Sequence, residues 1–184
     1  MELRGEFLIA MPMLTDPNFR QTVVCICEHS AEGALGLIVN RIYPALTAKD
    51  IFEELKMAYV PETGPLPVYN GGPVHTGDLF VLHEPPFGWE GCRPIRPDLA
   101  LTNTKDLLTA IAQGQGPRRF LILLGYAGWG PGQLEAEVRE NSWLTVPVDQ
   151  SIVFDAPVTR RWADAMKLMN IPDPAFLSGM SGSA

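Results

Sequence analysis

The sequence predicts an α/β or α+β layered sandwich built on a mixed β-sheet, and three observations carry that expectation. Short apolar, β-rich runs alternate with helical patterns, the arrangement that layers helices on a sheet. The 184 residues include 17 Gly and 17 Pro, which cut the chain too often for a helix bundle or coiled coil. Apolar residues make up 46% and charged ones 19%, enough to bury a core in a domain of ordinary size.

The elements follow in order. Residues 6–11 form an apolar strand stopped by Pro12, and the Asp/Pro/Asn content of 13–19 marks a turn. Two β-rich runs, 22–28 and 34–40, are spaced for a hairpin. Thr47 is placed as N-cap of a helix with Asp50 at N3, and Leu46 and Ile51 as its hydrophobic staple; Ile51, Phe52 and Leu55 form the inner face. A Pro-rich loop over 61–67 leads to strands at 68–69 and 79–83. A second Pro-rich passage, 85–97, precedes a helix over 103–113 closed by Gly114. The most apolar strand, 120–126, leads into a Gly-rich loop and a helix over 131–141 with Leu134 and Val138 inward. Strands are expected at 143–148 and 152–154. A last helix over 158–169 collects Val158, Trp162, Ala165, Met166 and Met169 on one face. Residues 1–177 read as one domain and 178–184 as a frayed tail.

The bulk numbers exclude some classes of function. A net charge of −7 and a pI near 4.9 disfavour direct nucleic-acid binding, which draws on Lys and Arg displacing counterions. The start lacks a basic n-region and a long apolar h-region, and no run approaches the ~18 apolar residues of a membrane span. Three cysteines do not suggest a secreted disulfide framework. These features place the chain in the cytoplasm, away from membranes.

Candidate chemistry is sparse. Cys25, Cys27 and His29 share one strand face, but at ~3.3 Å per residue the outer two lie about 13 Å apart, too far to share one Zn²⁺. Buried structural cysteines fit better than redox sensing, and Cys92, in a Pro/Gly-rich loop, is the more exposed thiol. The Gly125-Tyr126-Ala127-Gly128-Trp129-Gly130-Pro131-Gly132-Gln133 segment resembles a strand-to-helix turn able to cradle phosphate. It matches neither dinucleotide nor P-loop spacing, however, and has no Lys nearby. Asn70-Gly71-Gly72-Pro73 reads as a sharp bend with close backbone approach. No serine sits in a G-x-S-x-G elbow and no H-E-x-x-H occurs, so catalysis finds no positive support.

Read together, the segments resemble the AlgH/YqgE family of small bacterial proteins. The resemblance runs through Gly5-Glu6-Phe7-Leu8-Ile9-Ala10-Met11-Pro12, Asp16-Pro17-Asn18-Phe19, Gly33-Ala34-Leu35-Gly36-Leu37-Ile38-Val39-Asn40-Arg41, Gly71-Gly72-Pro73-Val74, Gly125 to Glu137, and Asn141-Ser142-Trp143-Leu144. Two departures stand out: Ile42-Tyr43 intervene before Pro44, and His75-Thr76-Gly77-Asp78 follow Gly-Gly-Pro-Val. The resemblance implies an α/β sandwich with a partly closed, barrel-like sheet, and brings no established reaction, cofactor or metal. Some members carry a label as transcriptional regulators.

The resulting expectation is a non-catalytic regulatory or protein-interaction module. Pro12, Asp16, Phe19, Asn40, Gly71, Gly72, Pro73, Trp129, Gln133, Glu137 and Trp143 would frame one shallow, partly apolar cleft for a protein partner. Trp129 and Trp143 would be the anchors, with Gln133 and Glu137 facing the same way one helical turn apart. The alternatives are a small-molecule or nucleotide site at the 125–132 turn and a regulator that binds DNA directly.

Overall fold

The computed structural model describes residues 1–170; the expected tail at 178–184 lies outside them. Ten strands are arranged in an open sheet: β1 (Glu6–Ala10), β2 (Val23–Ser30), β3 (Gly33–Ile38), β4 (Ile42–Thr47), β5 (Pro67–Asn70), β6 (Val74–His83), β7 (Arg93–Arg96), β8 (Leu99–Thr102), β9 (Phe120–Trp129) and β10 (Trp143–Pro147). Their spatial order is β10-β1-β2-β3-β9-β6-β8-β7, with β4 and β5 branching from β9. All pairings are antiparallel except β5 with β9, so the sheet is mixed. Its ends do not pair with each other, although the sheet curls until Gly5, before β1, packs against Arg96 at the far end.

The helices are α1 (Ala48–Glu54), α2 (Lys105–Ala112), α3 (Gln133–Arg139) and α4 (Arg161–Lys167). Thr47 is the N-cap of α1, and the Asp50 carboxylate accepts its backbone N–H at 2.8 Å. That bond holds the Asp50 carboxyl below its ordinary pKa. Ile51 and Phe52 of α1 meet Leu107, Leu108 and Ile111 of α2 in one apolar cluster over β5, β6 and β9.

The β1 pattern shows why the sheet needs cover on both faces. Phe7 and Ile9 enter the cluster inside the curl with Cys25, Leu82 and Leu101, whereas Leu8 and Ala10 enter a second cluster with Trp129, Leu134 and Trp143. All four are fully buried, as an apolar strand without polar alternation requires.

Several expectations change. Residues 152–154 are not a strand: Ser151–Asp155 form a π turn. The Asp149 side chain accepts the Ser151 N–H at 2.8 Å, and its carbonyl accepts the N–H groups of Ile152 and Val153 at 3.2 Å, so the donors a ladder would need are spent within the turn. The last helix is shorter, a 3-10 turn at Val158–Arg160 followed by α4. Strands β4, β7 and β8 arise inside stretches expected to be loops or helix approaches. The Gly-rich loop after residue 126 is a continuation of β9 through Trp129, leaving only Gly130, Pro131 and Gly132 as the turn.

That extension of β9 has a local cause. Gly125 has φ +74, and a Cβ there would lie 2.4 Å from the Gly72 carbonyl oxygen. A Cβ on Gly72, φ +152, would lie 2.1 Å from the Tyr126 carbonyl carbon. Two backbones touch here, and only residues without side chains let them.

Candidate functional site

The indoles expected at the surface are inside. Trp129 ends β9 and is 6% exposed; Trp143 opens β10 and is 3% exposed. After the three-residue turn, α3 brings Gln133 and Glu137 onto one face, but that face looks at the indoles. Glu137 Oε2 accepts the indole N–H of Trp129 and of Trp143, each at 2.9 Å. Gln133 donates to Glu137 Oε1 at 3.0 Å and accepts the Gly130 N–H at 3.0 Å. Phe19 closes the cluster, its centroid 6.2 Å from Trp129 and 5.7 Å, edge-on, from Trp143. Large aromatic area and satisfied N–H donors make this a packed, hydrogen-bonded core, not an open cleft.

The remaining expected cleft residues separate into two further places. Asn40, just after β3, accepts the Val23 N–H at 2.9 Å and donates to the Gln21 carbonyl at 2.8 Å, tying the ends of the β2–β3 hairpin together. Asp16 turns the preceding loop by accepting the Asn18 N–H at 2.8 Å. Pro12 and Asn40 line a common groove with Trp162. Gly71 and Gly72 are buried against Gly125 and Tyr126, and Pro73 is exposed beside them. The eleven residues therefore form an aromatic core, a hairpin-end groove and a backbone contact, rather than a single cleft.

A groove of about 920 Å³ opens at the other end of the hairpin. Strand β7 lies across β2 there, and Arg93 ion-pairs with Glu28. Cys27, Cys92, Leu35, Val74 and Tyr126 line it, with Trp129 at its margin. His29 sits in its wall with its side chain 4% exposed. Its Nδ1 accepts the Leu3 N–H at 3.1 Å, which leaves Nε2 to donate to Glu135 Oε1 at 2.8 Å. The backbone N–H of Glu135, in the first turn of α3, and the His29 bond hold the Glu135 carboxyl below its ordinary pKa.

Cys25 and Cys27 are buried and Cys92 is half-buried. The Cys27 thiol donates to the Cys25 carbonyl at 3.5 Å. Its interaction with Cys25, then burial, then the Glu28 charge raise its pKa well above the ordinary thiol value, and Arg93 only partly opposes them. A thiol so raised is a poor nucleophile. Among the described residues, no three His, Cys, Asp or Glu side chains are grouped to hold a metal ion. No helix among them is long and apolar enough to cross a membrane.

Sequence reasoning missed this groove because one wall is β7, hidden in a Pro-rich passage. The readable signal was the Glu28-His29 pair that ends a strand of apolar and thiol residues. Polar groups at that point need partners from elsewhere in the fold.

Comparison with known proteins agrees with this architecture. Residues 7–173 match the AlgH-like family. A UPF0301 protein of Desulforapulum autotrophicum is 50% identical over 92% of this chain and 89% of its own length. One from Methylococcus capsulatus is 47% identical over 98% and 95%. The solution structure of the AlgH protein from Pseudomonas aeruginosa, 41% identical, superposes with a TM-score of 0.82 over 100% of this chain and 97% of that one. The crystal structure of protein DIP2367 from Corynebacterium diphtheriae, 20% identical, shares the fold with a TM-score of 0.77, covering 96% and 92%.

Proposed function

The chain belongs to the AlgH-like family, and from that premise we propose that it is a cytoplasmic regulatory module that works by holding a protein partner rather than by catalysis. The occupant is an extended segment of that partner with apolar side chains, lying in the large groove between the hairpin tip and β7. One observation carries this reading. The polar groups where β2 meets β7 are matched, Glu28 with Arg93 and His29 with Leu3 and Glu135, so that wall presents a fixed surface, while the exposed Arg4 and Glu32 at the groove's edge make no side-chain hydrogen bond or ion pair among the described residues. Tyr126, Leu35 and Val74 add apolar area beside an arginine, the mixture that interface cores favour.

A photo-crosslinking residue at Ala34, in the groove, is to be compared in cells with one at Glu62, an exposed position on the 61–67 loop. A partner captured at 34 but not at 62, and lost on Tyr126→Ala with the thermal midpoint retained, supports the reading. Identical capture at both positions, or capture unaffected by Tyr126→Ala, overturns it.

The rival sites find less support. The turn proposed for nucleotides is three residues long, and its Gly130 N–H is already taken by Gln133. Direct DNA reading has to overcome a net charge of −7.

A further inference from the structure

We propose that the groove at the open end of the β2–β3 hairpin binds a small organic anion, a phosphate or carboxylate carried on an apolar body. It lies at the opposite end of β2 from the partner groove, roughly 23 Å away at ~3.3 Å per residue. Its volume is about 650 Å³, within the range of small-ligand sites. Arg20, Arg41, Thr15, Thr159, Pro12 and Trp162 line it together with further polar and apolar side chains, and no carboxylate is among the described residues that do so. In a chain with seven more acidic than basic residues, a hollow lined by two arginines and no acid is a local inversion of charge.

The two arginines differ in what the fold asks of them. Arg41 is a clamp: Nη1 donates to the carbonyls of Pro17 at 3.0 Å and Asn18 at 2.7 Å, and Nη2 to that of Arg20 at 2.9 Å. Of its five N–H donors these bonds leave two, on a head that is already oriented. Arg20 has no such duty; among the described residues its guanidinium makes no hydrogen bond or ion pair. A structural role therefore explains Arg41 and leaves Arg20 unexplained.

The two charges also sense each other. Partial burial, then the Arg20 charge, lower the Arg41 pKa, opposed by the exposed carboxylate of Asp16, which follows Thr15 in the chain. An anion seated between the guanidinium groups turns that repulsion into two attractions. The Thr15 and Thr159 hydroxyls, without partners among the described residues, supply neutral donors. Trp162 is fixed by its N–H bond to the Ala10 carbonyl at 2.9 Å and provides an aromatic wall beside Pro12, Leu14 and Val158 for the apolar body.

The test is a titration of the whole protein at low ionic strength with inorganic phosphate, phenyl phosphate and benzoate, followed by amide and indole NMR shifts. Binding is expected to perturb Arg20, Thr159 and the Trp162 indole, with phenyl phosphate or benzoate tighter than inorganic phosphate. Which of those two is preferred identifies the anionic group. Arg20→Gln should weaken binding at least about tenfold, the loss of one charged hydrogen bond. Thr159→Glu, at an exposed position, should abolish binding while keeping the fold. Silence of these signals with all three probes, or unchanged affinity in both variants, overturns the proposal.

Discussion

Replacing Glu137 with alanine removes one carboxylate and strands two indoles. Its Oε2 is the acceptor for both Trp129 and Trp143 at 2.9 Å, and both rings are nearly closed to solvent. A buried donor left without a partner costs about 1–3 kcal/mol, so two would cost about 2–6 kcal/mol. Glu137 itself is half-buried, and water entering the vacated space recovers part of this, which brings the expected loss to about 2–4 kcal/mol. Glu137→Gln keeps an oxygen under the two indoles but turns an NH2 toward Gln133, so it gives up the charge assistance and the Gln133 bond, about 1–2 kcal/mol. Urea unfolding followed by far-UV circular dichroism measures both. With a slope of ~2 kcal/mol/M the alanine midpoint should fall by ~1–2 M at unchanged slope, and the glutamine variant should sit between it and the parent. An alanine variant within ~0.5 kcal/mol of the parent would refute the reasoning. It would mean that the indole N–H groups are hydrated in the parent and that the aromatic cluster is an open surface after all.

Two further outcomes follow from the same kind of argument. Gly72→Ala places a Cβ 2.1 Å from the Tyr126 carbonyl carbon at φ +152, whereas a Cβ on Gly77 meets nothing within 4 Å; urea midpoints should show a loss of about 3 kcal/mol or more for the first and near neutrality for the second. His83 is fully buried, with Nε2 2.8 Å from the Thr102 hydroxyl and Nδ1 2.8 Å from the Glu84 carbonyl. Burial lowers its pKa below 6.5, the Glu84 carbonyl opposing. The unfolded chain then takes up a proton that the folded one refuses, so the stability His83 contributes is complete above pH 6.5 and is lost as pH falls from there through the lowered value. Midpoints measured from pH 8 to 5 should decline in the parent and decline less in His83→Gln.

The hairpin, the capped start of α1, the helix over α2 and the apolar run of β9 were legible because local pattern and tertiary role agree there. Strands β4 and β7 were not, and the reason is Pro44 and Pro94. Proline lacks the ladder donor and so reads as loop, yet among the described residues β4 pairs only with β5 and β7 only with β8, and an edge strand tolerates it. Gly125 of β9 likewise reads as loop, because its purpose is a backbone contact with Gly71 and Gly72, 54 and 53 positions earlier in the chain. The site was legible in part. The lining-up of Gln133 with Glu137 followed from helical spacing, but whether that face looked outward depended on where Trp143 and Phe19 arrive. Arg41 stood in a recognisable Asn-Arg pair, while its neighbourhood with Arg20 came from the loop's path, which no periodicity encodes.

The curled sheet meets itself between β1–β2 and β7 without a main-chain ladder: the Glu28–Arg93 pair, the bond from Gln150 to the Asp98 carbonyl and the packing of Arg96 on Gly5 join the edges, over a core that Ile95 of β7 shares with Phe7 and Cys25. The structure is thus zipped along one seam by side chains alone. Opening that seam would break no backbone ladder, only the Glu28–Arg93 pair, the Gln150 bond and the side-chain packing beneath them, and the groove of about 920 Å³ lies directly along it.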